Sequence, residues 1–167
     1  LDLYYSNGNV RLPELISDDD PYAEENVLVQ GNESGRFVEV FPKGGVANQI
    51  ARTSRGIAYG DVNGDGAMDI VVQNRDALPY LLINQNPGGG GFVKLRLINK
   101  YGAPVQDAVV RFTLGSTKMR REVRSSGGFG SAQDPVLHIG IGDEDLITDV
   151  EIYWPNGAKQ AIPDILI

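Results

Sequence analysis

Asp61-Val62-Asn63-Gly64-Asp65-Gly66-Ala67-Met68-Asp69 is the stretch whose reading decides the fold. Oxygen-bearing side chains fall at every second position, at Asp61, Asn63 and Asp65. The chain then bends at Gly66, offers the main-chain carbonyl of Ala67 and closes on Asp69. Ca²⁺ takes about six to eight hard oxygen ligands, and loops of this kind supply them from alternate residues, with glycine at the sharp bend. The residue standing where an EF-hand carries its bidentate glutamate is Val72, inside an apolar run. Asp69 passes directly into Ile70-Val71-Val72, which reads as a strand. The expected ligands of a Ca²⁺ ion are therefore Asp61, Asn63, Asp65, the carbonyl of Ala67, and Asp69, in a loop between two strands. A metal-free alternative stands beside this reading, because Asn63-Gly64 and Asp65-Gly66 are strong hairpin-turn signals. It leaves Asp61 and Asp69 unexplained, at positions where a strand favours β-branched or aromatic residues.

Outward from that loop, the composition is that of a globular chain. Its 167 residues are 41% hydrophobic and 22% charged, enough to bury a real core. Twenty-one glycines and nine prolines point to many turns and hence to β-structure. The net charge of −7, with no basic cluster beyond Lys118-Met119-Arg120-Arg121, argues against nucleic acid or an anionic membrane as partner. No apolar run approaches the ~20 residues of a membrane span, so no membrane insertion is expected. With no cysteine, neither disulfides nor thiolate metal sites are available. The sequence opens at Leu1-Asp2-Leu3, as if inside a strand and without an initiating Met, which suggests a segment of a longer protein.

Leu1-Asp2-Leu3-Tyr4-Tyr5-Ser6-Asn7 repeats the order of Met68-Asp69-Ile70-Val71-Val72-Gln73-Asn74. On that alignment Asp2 is the last ligand of an earlier loop. A second echo sets Val27-Leu28-Val29-Gln30 beside Leu81-Leu82-Ile83-Asn84. Repeats at this scale suggest stacked four-stranded units such as propeller blades. The acidic run Ser17-Asp18-Asp19-Asp20 with Glu24-Glu25 reads first as a solvated loop, with a second metal site as the alternative. Asn86-Pro87 followed by Gly88 to Gly91 marks a boundary, giving a first region 1–87 and a second 88–167.

In the second region Phe92, Lys94, Arg96 and Ile98 alternate with Val93, Leu95 and Leu97, predicting a strand with one wet face. Residues 108–114 and 119–124 are expected to pair as a hairpin, with further strands over 136–141, 147–154 and 160–167. No sustained helix is predicted. The fold class is all-β: partial propeller-like blades with a calcium loop, then a small β-sandwich.

Gly56-Ile57-Ala58-Tyr59-Gly60, running into the loop and on through Met68-Asp69-Ile70-Val71-Val72, resembles an FG-GAP/VCBS repeat of integrin-type β-propellers. Residues from about 92 to 160 resemble an ASPIC/UnbV domain. That second likeness is carried by Arg121-Glu122-Val123, Gly128-Phe129-Gly130-Ser131, Gln133-Asp134-Pro135, Leu137 to Gly142 and Tyr153-Trp154-Pro155-Asn156-Gly157. The first resemblance implies the same Ca²⁺ ligands as the spacing does. Ala103 to Val110 departs from the second family's pattern, and about one and a half blades do not close a propeller.

For catalysis the sequence offers little. The single histidine, His138, sits between Leu137 and Ile139 in an alternating strand. Ser131, Asp134 and His138 can be drawn as a nucleophile set, but no strand-turn-helix elbow presents the serine. Asp143-Glu144-Asp145 reads as a turn, Trp154 as core, and Asn32-Glu33-Ser34 fits a glycosylation sequon. The expected molecule is a non-catalytic, secreted or cell-surface, calcium-stabilised β protein for adhesion or extracellular assembly, with a protein partner or self-association. Two alternatives remain, a fibre subunit that assembles by strand complementation and a glycan-binding accessory domain.

Overall fold

The computed structural model describes residues 2–10, 20–32, 34–48, 50–85 and 90–167. The acidic residues 17–19 and the proposed boundary at 86–89 lie outside them. The chain is all-β, and its helical content among the described residues is one 3-10 turn at Lys43–Gly45. In order, the strands are β1 (Leu3–Tyr5), β2 (Glu24–Glu25), β3 (Val27–Gly31), β4 (Phe37–Glu39), β5 (Ala51–Arg52), β6 (Ser54–Gly60), β7 (Asp69–Asn74) and β8 (Tyr80–Leu82). They continue as β9 (Gly91–Leu95), β10 (Val109–Leu114), β11 (Thr117–Glu122), β12 (Leu137–Gly142), β13 (Leu146–Tyr153), β14 (Lys159–Ala161) and β15 (Ile165–Leu166). Two compact units result, one from residues 1–59, 69–83 and 128–131, the other from 60–68, 84–127 and 132–167.

The first unit holds three small sheets, ordered β1-β3-β4, β2-β5 and β6-β7-β8. No sheet among the described residues closes into a barrel or propeller. The internal repeat is visible as one pairing made twice. Leu3, Tyr4 and Tyr5 face Val29, Leu28 and Val27, as Ile70, Val71 and Val72 face Leu82, Leu81 and Tyr80. Val27 thus corresponds to Tyr80, one position from the match with Leu81 read in the sequence. A one-residue slip turns every side chain to the other face. An asparagine clamp fixes the register in both copies: Asn7 Nδ2 donates to the Glu25 carbonyl at 2.9 Å and Asn74 Nδ2 to the Leu78 carbonyl at 2.8 Å.

This unit is organised around polar groups. Asn26, Thr53, Ser54, Asp69 and Asn74 are buried there beside Ala23 and Val72. Buried polar atoms are usually bonded, and most of these are, although Asn26 Nδ2 has no hydrogen-bond partner among the described residues. Ser54 Oγ donates to Asn74 Oδ1 at 2.8 Å, Asn26 Oδ1 accepts the Asn7 N–H at 2.9 Å, and Asp20 takes both the N–H and the hydroxyl of Thr53. The Arg55 guanidinium donates to the carbonyls of Gly8, Ser54 and Asn9. Asp2 Oδ1 accepts the Gly31 N–H at 3.1 Å, which holds β3 at the start of the first copy.

The second unit is a two-layer β structure with an apolar core. One layer is the sheet β11-β10-β13-β14, with β15 also on β13; the other is the pair β12-β9. Val110 and Phe112 of β10, Ile139 and Ile141 of β12, and Ile147, Val150 and Ile152 of β13 fill the space between. Outward residues alternate with these, as the period-2 pattern requires. The β10–β11 hairpin turns at Gly115, with φ +56°, and Leu114 faces Thr117. β11 starts two residues earlier than expected because so tight a turn keeps Thr117 and Lys118 in the ladder. The last expected strand is divided into β14 and β15 at Ile162-Pro163-Asp164, since proline brings no N–H to a ladder. Trp154 packs partly against the core and its indole N–H donates to Gln160 Oε1 at 3.1 Å.

The two units are expected to fail by different routes. Ile139→Ala, which empties a wholly buried site in the second, should cost about 2–5 kcal/mol. Asn74→Ala in the first should cost about 1–3 kcal/mol by stranding the Ser54 hydroxyl and the Leu78 carbonyl. Urea unfolding of both variants measures the two losses.

Candidate functional site

The loop joining β6 to β7 is held by its own side chains. Asp61 Oδ1 accepts the Gly64 N–H at 2.7 Å and its Oδ2 the Gly66 N–H at 3.0 Å. Asn63 Oδ1 accepts the Asp65 N–H at 3.1 Å, and Asp65 Oδ1 accepts that of Ala67 at 2.8 Å. Asn63 Nδ2 donates to Asp65 Oδ2 at 2.7 Å. Asp61, Asn63 and Asp65 therefore each close a short side-chain-to-backbone ring, a turn chemistry in which Asn and Asp excel. Gly64 and Gly66 stand at φ +79° and +89°, in the left-handed region that glycine enters without steric cost.

The Asp61 side chain is only 1% exposed, so its charge needs compensation, and Lys94 Nζ of β9 lies 2.8 Å from Oδ2. That ammonium, and then the two loop N–H groups, hold the Asp61 carboxyl below the usual carboxylate range. Beneath the loop Phe92 meets Gly66 so closely that an added Cβ would collide with the ring. The His138 ring stacks on Phe92 at a centroid distance of 5.3 Å, the planes 8° apart. Burial lowers the His138 pKa; the nearby Asp61 charge opposes the shift and Lys94 reinforces it. Lys94 and His138 face each other across the β9–β12 ladder, with Phe92 opposite Gly140.

The expected ligands are thus distributed unevenly. Asp61, Asn63 and Asp65 share one loop, with Asn63 and Asp65 exposed and Asp61 covered. Asp69 is buried at the first position of β7. Among the described residues no three His, Cys, Asp or Glu side chains converge on one point. In kind the residues fit a Ca²⁺ ion. The expected donors are all oxygen, the bends are already made at Gly64 and Gly66, and Asn63 and Asp65 sit at the surface, held by bonds within the loop. Lys94 is the countercharge that a divalent ion would share or displace. The sequence pattern does not single out Phe92, Lys94 and His138 as parts of this site. Its one signal is an aromatic, Phe92, on a face that alternation assigns to water.

The other candidates are accounted for individually. Asp134 pairs with Arg96 at 3.2 Å, while Ser131 Oγ and His138 Nε2 have no hydrogen-bond partner, so the drawn nucleophile set is not linked. Asp143, Glu144 and Asp145 are exposed between β12 and β13, where the Glu144 N–H closes a turn on the Ile141 carbonyl at 3.2 Å. In the sequon, Asn32 Oδ1 accepts from the Ser34 N–H, the Ser34 hydroxyl and the Arg36 N–H in an exposed turn.

Comparison with known proteins bears on the second unit most directly. The family model described as ASPIC and UnbV matches residues 100–166. Cartilage acidic protein 1 of Homo sapiens is 28% identical over 134 residues, 78% of this chain and 20% of that protein. The Xenopus tropicalis protein of the same name is 29% identical over 125 residues, 72% of this chain and 19% of that protein. The chain therefore spans about a fifth of the length of the curated relatives it matches. No helix among the described residues is long and apolar enough to cross a membrane.

The two loop glycines should respond differently to a methyl group. Gly64→Ala meets open space and should cost only the left-handed backbone penalty, about 1–2 kcal/mol. Gly66→Ala adds the collision with Phe92 and should cost about 1–3 kcal/mol more. Introducing Phe92→Leu into Gly66→Ala should return part of that difference, measured by urea unfolding of the variants beside the parent.

Proposed function

We propose that this chain is a non-catalytic, extracellular β protein whose loop 61–69 binds a structural Ca²⁺ ion, and that it serves adhesion or the building of an extracellular assembly. The observation that supports this best is the alternation of Asp61, Asn63 and Asp65 on a loop bent at Gly64 and Gly66, followed by a buried Asp69. Asp61, Asn63, Asp65, the Ala67 carbonyl and Asp69 would hold the ion, which supplies charge compensation and rigidity rather than chemistry. The likeness to cartilage acidic protein 1 over most of this chain supports an extracellular setting, cartilage being a tissue of extracellular matrix. The loop's resemblance to FG-GAP/VCBS repeats supports the choice of ion.

Self-association through unpaired sheet edges is a second reading, supported by one feature. Val71 and Leu81 face each other across β7 and β8, and both are exposed, as are Phe37 and Val38 on the outer strand β4. Apolar groups on short open-edged sheets favour pairing with another strand. Sedimentation at increasing concentration, with calcium present, tests it. A single monomeric species at all concentrations removes the reading.

For a dissociation constant near 10⁻⁴ M and about 1 mM free ion, calcium should stabilise the fold by about 1.4 kcal/mol. Chelation should then lower the melting temperature by about 3–6 °C, and Asp65→Ala should abolish that response. Identical melting with and without chelator rejects the calcium reading. Lys94→Gln should enlarge the response, because Asp61 loses its resident cation and depends more on an added one.

A further inference from the structure

The outer face of the five-stranded sheet concentrates positive charge on a chain whose net charge is −7. Arg111 of β10 lies directly opposite Arg120 of β11, and Lys118 opposite Thr113 on the same face. Lys159 of β14 pairs with Tyr153 of β13, and Arg111 with Glu151. Like charges directly opposed on neighbouring strands destabilise a sheet. The carboxylates on this face offset only part of that charge, and among the described residues Arg111 and Lys118 stand outside its ion pairs. Glu122 is shared by Arg120 at 2.9 Å and Arg124 at 3.1 Å, Glu151 is held by Lys159 at 2.6 Å, and Asp149 accepts the Thr113 hydroxyl at 3.1 Å. The Tyr153 ring has cations on it from two strands, Arg111 at 4.8 Å and Lys159 at 5.4 Å from its centroid.

A cleft of about 400 Å³ opens at the β11 edge of this face, lined by Gln106, Asp107, Glu122, Arg124, Ser125 and Ser126. Glu122 and Arg124 belong to both the cleft and the cationic face. The cleft is rich in acceptors and hydroxyls, which call for a ligand that carries donors. The face calls for anionic groups spaced along a flat surface, and guanidinium forks match tetrahedral oxyanions in two-point contacts.

We propose that the outer face of the five-stranded sheet, with the cleft at its β11 edge, binds a sulfated polysaccharide. Sulfate groups occupy the Arg111–Arg120 pair and the cations around Tyr153, while sugar hydroxyls donate to Asp107 and Gln106 in the cleft. A globular protein partner fits less well. Interface cores are apolar and depleted of charge, and across β10, β11 and β14 this face aligns mainly charged and polar residues, its exposed leucines, Leu146 and Leu166, lying apart in the β13–β15 pairing. Duplex DNA fits less well too, since its sugar-phosphate backbone has no donors for Asp107.

The test uses the whole chain with calcium present, and heparin as the probe, titrated by calorimetry at low and moderate salt. Binding is expected, weakening as salt rises, with chemically desulfated heparin failing to bind. Arg111→Gln/Arg120→Gln should bind about tenfold more weakly with a melting temperature no lower than the parent's, and Arg111→Lys/Arg120→Lys should bind more tightly than the Gln pair but more weakly than the parent. If the first variant does not fold, Lys118→Gln/Lys159→Gln supplies the same readout from β11 and β14. The proposal is overturned by no binding, by equal binding of desulfated heparin, by folded charge variants that bind as well as the parent, or by equally tight binding of duplex DNA or phosphatidylserine vesicles. Asp65→Ala should bind heparin normally, so loss of calcium response and loss of heparin binding are separable failures.

Discussion

A carboxylate almost wholly removed from water cannot remain ionised without partners, and Asp61 is such a group. Its two oxygens take the N–H groups of Gly64 and Gly66 and the ammonium of Lys94. Much else follows from satisfying that charge. Two glycines must adopt left-handed backbone so that their N–H groups turn inward. Phe92 must lie close against Gly66 for the loop to settle, which leaves no room for a β-carbon there. Phe92 is in turn braced by the stacked ring of His138 from β12. The face of β9 that alternation assigns to water is thus occupied by the loop. For the same reason the fold groups residues 60–68 with the second unit, although β6 and β7 belong mainly to the first.

The two units illustrate different solutions to holding strands together. In the second, Val110, Ile139, Ile147 and Val150 are almost completely buried, and apolar burial at roughly 25 cal/mol per Å² stabilises it more than anything else does. The first has strands of two to seven residues and a centre of Asn, Thr, Ser and Asp. Its order comes from directional bonds: the same asparagine clamp in both copies, Ser54 on Asn74, and Arg55 gathering three carbonyls. Polar networks of this kind specify geometry strongly while contributing modestly to net stability. Strands so held would gain more than most from an ion bound where two of them are joined.

The sequence is informative wherever one periodicity governs. The alternation of Phe92 to Ile98, the Gly115-Ser116 turn and the strands of the second unit can be read from it, because inward residues there meet only other apolar residues. The turn character of loop 61–69 is equally legible, since Asn and Asp before glycine have few other uses. Register in the first unit is not. The repeat points to the right strands, yet Asn7 and Asn74 set the pairing one residue away from the match of Val27 with Leu81. A clamp between a side chain and a distant carbonyl leaves no periodic trace. Lys94 is hidden for a related reason. It looks like any solvated lysine until the chain brings Asp61 to it from more than thirty residues away.

Lys94 also shows why the loop need not be disordered without a divalent ion. Three aspartates within nine residues would repel in an empty loop, and the usual result is a segment that orders only when metal arrives. Here the most deeply placed carboxylate of the loop itself already has a covalently tethered cation, while Asp65 stays in water, where its charge is well solvated. The backbone bends are therefore made in advance, and a Ca²⁺ ion would find its turn formed and need only exposed side chains to re-aim. Preorganisation lowers the ordering cost of binding. The lysine works in the opposite direction, because its own pairing with Asp61 must weaken before that carboxylate serves the ion fully. A loop balanced in this way would keep its turn when calcium is scarce and would have only side chains to re-aim if the ion bound, as the structural role proposed for calcium requires.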